Sequence, residues 1–342
     1  MQRQLCCCKG FSMHRRRRRL ALALLVAAAL FTSRLAWSMY PLSSPGTPTA
    51  ITVVSGESLS EVAKDLAVHH VLSSTLAFKI DLAIFGAPII RPGIYVVRQN
   101  SSHGAIRKAL TGGPNANVLY VTPGMTIRQT ALQLATIKDS AYTSAFQAVI
   151  RDESANNAFG ASSLEGLLGT GAYIVGPNET PYLLVQHMKD RFVRQLRRAG
   201  VTPSTRLHGL SAYELITAAS IIEKEGFYEK NMPQVGRVIL NRLARGGGLQ
   251  MDATILYSLQ KDGVKVTPAM LKIDTPYNTY LHPGLTPTPI CQVGATALHS
   301  IIDPPAGKWL YFVVVDQSGT EAFAVTYKEH QANIELARSR GL

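Results

Sequence analysis

A gapless internal repeat constrains this chain more than any other feature. "VVSGESLSEVAKDL" at 53–66 aligns with "VTPGMTIRQTALQL" at 121–134. Gly56 falls on Gly124, Ser58 on Thr126, Leu59 on Ile127, Ala63 on Ala131 and Leu66 on Leu134. Each copy reads as a short strand, a glycine turn and a helix. Ser58 with Glu61, and Thr126 with Gln129, have capping-box spacing, in which each side chain accepts from the other residue's backbone N–H. Positions 59, 62, 63 and 66 place apolar side chains on one helical face. Between the copies, "PGIYVV" (92–97) reads as a strand and "SSHGAIRKALTGG" (101–113) as a capped helix ended by glycines. Strands mixed with helices in this way predict an α+β fold.

The strand–glycine–helix opening resembles the LysM module, which binds N-acetylglucosamine-containing glycans. A small packing unit without a ligand accounts for the same pattern, and both readings stand at this point. The LysM-like region is placed at 50–140. A second, larger unit is placed at 141–342. It contains the irregular stretch "SLEGLLGTGAYIV" (163–175) and helices over 181–196, 211–227, 233–248 and 328–339, with short strands in "WLYFVVV" (309–315) and "EAFAVTY" (321–327).

The N-terminus reads as a targeting segment. "RRRRR" (15–19) forms the end of a basic tail, 1–19, followed by an apolar anchor at 20–40 and a Pro/Ser linker at 41–49. The positive-inside rule puts the arginines in the cytoplasm and the bulk of the chain outside. A signal peptide cleaved after the small-x-small step "AWS" (36–38) is the competing reading. The net charge of +13 raises nucleic-acid binding. Eight of the 35 Lys and Arg lie in residues 1–40 without an acid, leaving 27 against 22 acids elsewhere. No basic stripe interleaved with aromatics remains, so nucleic acid is not an expected partner. Only Cys291 belongs to the exported part, which excludes an internal disulfide there. No metal-ligand spacing is present, and no cofactor is expected.

The chemistry centres on "ITAASIIEKEGF" (216–227). On a helix, Leu215, Ile216, Ala219, Ile222 and Glu223 share one face, whereas Glu225 and Glu229 fall elsewhere and are expected to be solvated. A carboxylate on an apolar face is unfavourable unless it is paired or protonated. One reading is an internal ion pair with Arg237 or Arg242. The other is an acid of raised pKa that donates a proton to a leaving oxygen.

"ASIIEKE" (219–225) resembles the signature of the endolytic murein transglycosylases, the YceG-like family. "NRL", "LQMDATILYSL", "TPYNTY", "GLTPTPI", "LYFVV" and "TYKEH" resemble the segments that follow it, in order. The likeness runs from about residue 50 to the end. It implies a lytic transglycosylase that cleaves the MurNAc–GlcNAc bond of nascent peptidoglycan strands to give 1,6-anhydroMurNAc ends, with Glu223 as the catalytic acid and base. It also implies substrate contacts from Glu165, Gln250, Asp252, Tyr277, Asn278, Tyr280 and Tyr311. A single-pass inner-membrane protein with its catalytic domain in the periplasm, working beside peptidoglycan synthases and terminating glycan elongation, follows from the same likeness. The sequence departs from the family after "LEG", where "LLGTGAY" replaces an aromatic-Pro-Asp step, and at "TPTP" and Glu321–Phe323. A non-catalytic peptidoglycan-binding scaffold is the alternative.

Overall fold

The structure is a computed structural model that describes residues 10–39, 44–226 and 228–342. It is mixed α+β, with two-stranded sheets set among helices. The chain divides into two compact units, Met1–Asn117 and Val118–Leu342. The boundary expected at 140/141 therefore moves to 117/118, and burial gives the reason. Val53, Val62, Ala63 and Leu66 of the first repeat copy belong to one hydrophobic cluster. Their counterparts Val121, Ala131 and Leu134 join a separate cluster that includes Ile221 and Ile222. The second copy is thus part of the unit that carries Glu223.

The first unit contains α1 (Gly10–Met39), β1 (Pro48–Val53), α2 (Leu59–Val68), α3 (Thr75–Phe85), β2 (Gly93–Arg98) and α4 (His103–Gly112). β1 and β2 pair antiparallel with Ile51 opposite Tyr95, both buried. The expected linker at 41–49 is shorter than that. Gly46 N–H donates to Gln99 O at 2.8 Å, Gln99 N–H donates to Thr47 O at 3.0 Å, and the strand starts at Pro48. For the anchor expected at 20–40, α1 supplies a continuous helix. Among the described residues, however, no helix is long and apolar enough to cross a membrane. The uninterrupted apolar run Leu20–Phe31 is 12 residues, or about 18 Å of helix against a ~30 Å hydrocarbon core. Residues 1–9 of the basic tail, Cys6–Cys8 among them, and residues 40–43 lie outside the described residues.

The second unit opens with β3 (Asn117–Val121), α5 (Ile127–Ala135), α6 (Ser140–Ser154), β4 (Gly171–Val175) and α7 (Pro181–Arg198), with β3 paired to β4. A hairpin of β5 (Arg206–Leu207) and β6 (Leu210–Ser211) leads into α8 (Ala212–Glu225). There follow α9 (Met232–Ala244), α10 (Asp252–Ser258), α11 (Ala295–Ile302), the antiparallel pair β7 (Tyr311–Val314) and β8 (Glu321–Ala324), and α12 (Tyr327–Ser339). α8 starts at the expected capping box of Ser211 and Glu214. Leu215 and every residue from Ile216 to Ile222 are buried. α8 is the axis of this core rather than a helix with a single apolar face, and α9 and α11 pack on it. Both ends of α8 reach the surface, at Tyr213 and Glu214 and again in the last turn, and Glu223 sits in the last turn.

Both repeat copies keep the same local structure. Each has its capping box, and Gly56 and Gly124 both adopt φ +83°. A side chain is strained in that conformation, so glycine makes the turn. The surroundings differ. A Cβ at Gly56 meets nothing within 4 Å, whereas at Gly124 it meets Lys224 Cδ at 3.9 Å and Glu223 Cγ at 4.0 Å.

Candidate active site

Two segments, 123–125 and 290–294, converge on the end of α8. Gly124 N–H donates to Gln292 O at 2.9 Å, and Gln292 N–H donates to Met125 O at 2.8 Å. Lys224 Nζ donates to Gly124 O at 3.2 Å. One turn before Glu223, Ser220 Oγ accepts from Ile290 N–H at 2.9 Å, which fixes the 290–294 strand of chain against α8. Gly294 N–H then donates to Glu223 Oε2 at 2.8 Å. Glu223 is half-buried and opens into a cleft of about 640 Å³. Pro123, Gly124, Met125, Gln129, Lys224, Gly226, Glu229 and Met232 complete its lining.

Burial raises the Glu223 pKa above the ordinary carboxylate value; the Gly294 hydrogen bond opposes this, Glu229 adds to it, and Lys224 opposes it. On balance the pKa is raised, which favours the protonated form that a general acid needs. The ion-pair reading fails. Arg237 donates to Pro304 O and Pro305 O, and Arg242 to Leu310 O and Leu249 O. Among the described residues no cation forms a salt bridge with Glu223.

Gly294 was not singled out by its sequence context. A Cβ there would lie 3.1 Å from Glu223 Oε2 and 3.1 Å from Pro123 Cγ. Gly294→Ala is expected to displace the carboxylate by a few tenths of an ångström and to reduce turnover roughly tenfold. Its melting temperature is expected to stay close to wild type. Turnover and thermal unfolding measured together check this.

The other acids divide differently from expectation. Glu229 is exposed at the cleft edge, as predicted. Glu225 is half-buried and bonded rather than freely solvated. It accepts from Ala253 N–H at 2.9 Å at the start of α10, and burial raises its pKa to about 7. Asp252, the first residue of that helix and an expected substrate contact, accepts from Tyr280 OH at 2.6 Å on the exposed surface. The cap comes from Glu225 because Met251, at the N-cap, has no side chain that can bond.

Glu165 lies in the core, 5% exposed, rather than in a loop lining the cleft. It accepts from Ile127 N–H at 3.0 Å, Gln292 Nε2 at 2.6 Å and Tyr257 OH at 3.4 Å. Burial raises its pKa to about 7 despite these donors. It thereby satisfies the first turn of α5, whose preceding turn walls the Glu223 cleft. Glu165 also lines a second hollow of about 420 Å³ with Tyr257 and Tyr277. Gln292, which sequence reasoning missed, links these parts: its Oε1 accepts from Leu168 N–H at 3.0 Å while its amide donates to Glu165. A buried glutamine in "CQVGAT" leaves no sequence signal of such a role.

Of the remaining residues, Asn278 is corrected. It is fully buried, donates to Leu271 O and Ile273 O, and accepts from Tyr280 N–H, so its polar atoms hold a turn rather than a sugar. Tyr277 OH bonds Thr288 Oγ1 at 2.8 Å, and its ring packs on Tyr257. Gln250 is exposed at φ 52°, with its N–H on Thr279 O. Tyr311 stacks on His330 with ring centroids 5.2 Å apart and lies under the Arg242 guanidinium. None of these four lines the Glu223 cleft. Among the described residues no cluster of His, Cys, Asp and Glu is placed to hold a metal ion.

A profile of the YceG-like family matches residues 51–336. The chain belongs to the YceG-like family. An endolytic murein transglycosylase of Bacillus subtilis (strain 168) is 28% identical over 303 residues, covering 83% of each chain. A protein of the same name from Streptococcus pneumoniae serotype 2 (strain D39 / NCTC 7466) is 25% identical over 317 residues, which is 83% of this chain and 57% of that one. The crystal structure of a YceG-like protein from Listeria monocytogenes superposes with a TM-score of 0.51 at 22% identity. It covers 83% of this chain and 98% of the other, a likeness of fold. The family match includes the repeat, α8 and the segment that carries Gln292 and Gly294.

Proposed function

We propose that this YceG-like chain is a peptidoglycan lytic transglycosylase that cleaves the MurNAc–GlcNAc bond. The observation that carries the reading is Glu223: one half-buried carboxyl at a cleft, raised in pKa by burial and held by a single backbone N–H. The protonated carboxyl gives its proton to the glycosidic oxygen as the bond to the anomeric carbon of MurNAc breaks. The C6 hydroxyl of the same sugar attacks that carbon. Its proton passes to the Glu223 carboxylate, which restores the acid. The products are a 1,6-anhydroMurNAc end and a free GlcNAc hydroxyl, and no water is consumed. While Glu223 is ionised, the Gly294 N–H and Lys224 stabilise its charge.

A hydrolase of the usual kind needs a second carboxylate as nucleophile or base. Glu225 is committed to Ala253, and Glu229 lies exposed at the cleft edge. An intramolecular nucleophile removes that need. The relatives' names, endolytic murein transglycosylase, support the same assignment.

The unit ending at Asn117 is assigned as a LysM-like glycan-binding region, supported by its strand–glycine–helix opening. The arginine run and the apolar segment after it support a tether to the inner membrane, with the enzyme on the outer side. Incubating the full-length protein with peptidoglycan and separating the products by mass tests the activity. Anhydro-ended fragments, one water lighter than reducing-end fragments, are expected. Reducing ends would indicate a hydrolase, and uncleaved strands a glycan-binding scaffold.

A further inference from the structure

The unit ending at Asn117 carries a surface that glycan cleavage does not use. At the end of α3 and in the loop after it, Ile84 is 65% exposed, Phe85 58% and Ile89 87%. Single exposed apolar residues are ordinary, but a cluster of this kind marks an interaction surface. Beside it lies a hollow of about 620 Å³ whose lining includes Phe85, Pro88, Ile89, Arg91, Arg107 and Lys108.

The charge around this face is one-sided. From Thr75 to Gly113 the cations are Lys79, Arg91, Arg98, Arg107 and Lys108, and the single acid is Asp81. Asp81 is buried and faces inward, with Arg107 Nε 3.1 Å from its carboxylate. The same Arg107 guanidinium covers the Phe85 ring at 4.5 Å. No acid lines the hollow. Among the described residues Arg91 and Lys108 have no ion-pair partner.

We propose that this face docks on an anionic lipid bilayer, with Ile84, Phe85 and Ile89 entering the interface and Arg91 and Lys108 meeting headgroup phosphates. Apolar tips flanked by cations are the composition that binds such a surface. Neither a soluble polyanion nor a glycan strand carrying peptide carboxylates would have a use for the apolar tips. The inference concerns a different surface from the Glu223 cleft and stands independently of the reaction there.

The test uses the full-length protein in nanodiscs of phosphatidylcholine, alone or mixed with phosphatidylglycerol, and follows hydrogen–deuterium exchange over residues 84–91. α1 packs on α3, so the neutral discs, in which association through α1 needs no anionic lipid, serve as the control for it. Exchange is expected to slow in the anionic discs and not in the neutral ones. Lys108→Glu is expected to weaken the effect about fivefold, and Ile89→Ser to abolish it. Both positions are exposed, so the fold should survive either change. Equal exchange in the two disc types overturns the proposal. So does the same protection from inorganic phosphate without lipid, or from peptidoglycan fragments. Glycan cleavage by the same samples is read separately, which keeps a failure of docking distinct from a failure of the activity.

Discussion

Glu223→Gln abolishes the release of anhydro-ended glycan while the protein stays folded and still binds its strand. Glutamine keeps the volume, and its Oε1 still accepts the Gly294 N–H that holds Oε2 at 2.8 Å. It has no proton to give the leaving oxygen, and general acid catalysis contributes about 10²–10⁴-fold in rate. Stability should be unchanged or slightly higher, because a half-buried carboxylate with no salt-bridge partner is replaced by a neutral group. The pH profile carries the same signature. Glu223 must be protonated to start the reaction, so activity falls as pH rises through its elevated pKa. Glu229→Gln is the suitable control. It removes a neighbouring negative charge that raises Glu223's pKa, so the alkaline fall should move to lower pH with the maximum rate little changed. Glu225 cannot serve as a control, because it caps α10. Turnover, its pH profile and melting temperature are measured for all three proteins. Normal turnover by Glu223→Gln would end the mechanism proposed here.

Glu165→Ala is expected to produce the largest loss of stability among the acids, on the order of 3 kcal/mol, because buried donors left unpaired are penalised individually. Ile127 N–H, Gln292 Nε2 and Tyr257 OH all lose their acceptor. The turn at 123–125 walls the cleft and leads directly into α5, so turnover should fall as well, with the maximum rate affected more than KM. The pH dependence of stability identifies the cause. A carboxyl raised from 4.5 to about 7 on folding binds more protons in the native state than in the unfolded state across that interval. Native stability therefore declines as pH rises from about 4.5 to 7. Glu225 and Glu321, also raised to about 7, contribute to the same slope. Removing Glu165 should make the slope shallower. Chemical denaturation at several pH values measures both quantities. An unchanged slope with unchanged stability would show that Glu165 does not act as this buried acceptor.

Local structure was legible wherever short-range chemistry decides it. The capping boxes at Ser58–Glu61, Thr126–Gln129 and Ser211–Glu214 form as their spacing indicates. The turn glycines at 56 and 124 take the same backbone conformation, because cap and turn depend on residues within a few positions. The surprising carboxylate in "ASIIEKE" was equally visible as an anomaly of pattern, since an acid in an apolar run contradicts simple burial. Residue pattern alone establishes that Glu223 requires an explanation, and which two explanations compete.

Only the tertiary structure chose between them, because the choice depends on contacts across long separations. Arg237 and Arg242 are spent on carbonyls far along the chain, so the ion pair is absent. The partner of Glu223 is a backbone N–H 71 residues away, and backbone N–H groups look alike in any sequence. The same limit applies to the two repeat copies. Their local patterns agree, yet one faces open space at its glycine and the other abuts Glu223, according to which core each apolar face joins. Glu225 and Asn278 read as solvent or sugar contacts from their polarity. They proved to cap α10 and hold a turn, because a polar group wholly or partly withdrawn from water bonds to whatever the fold brings to it.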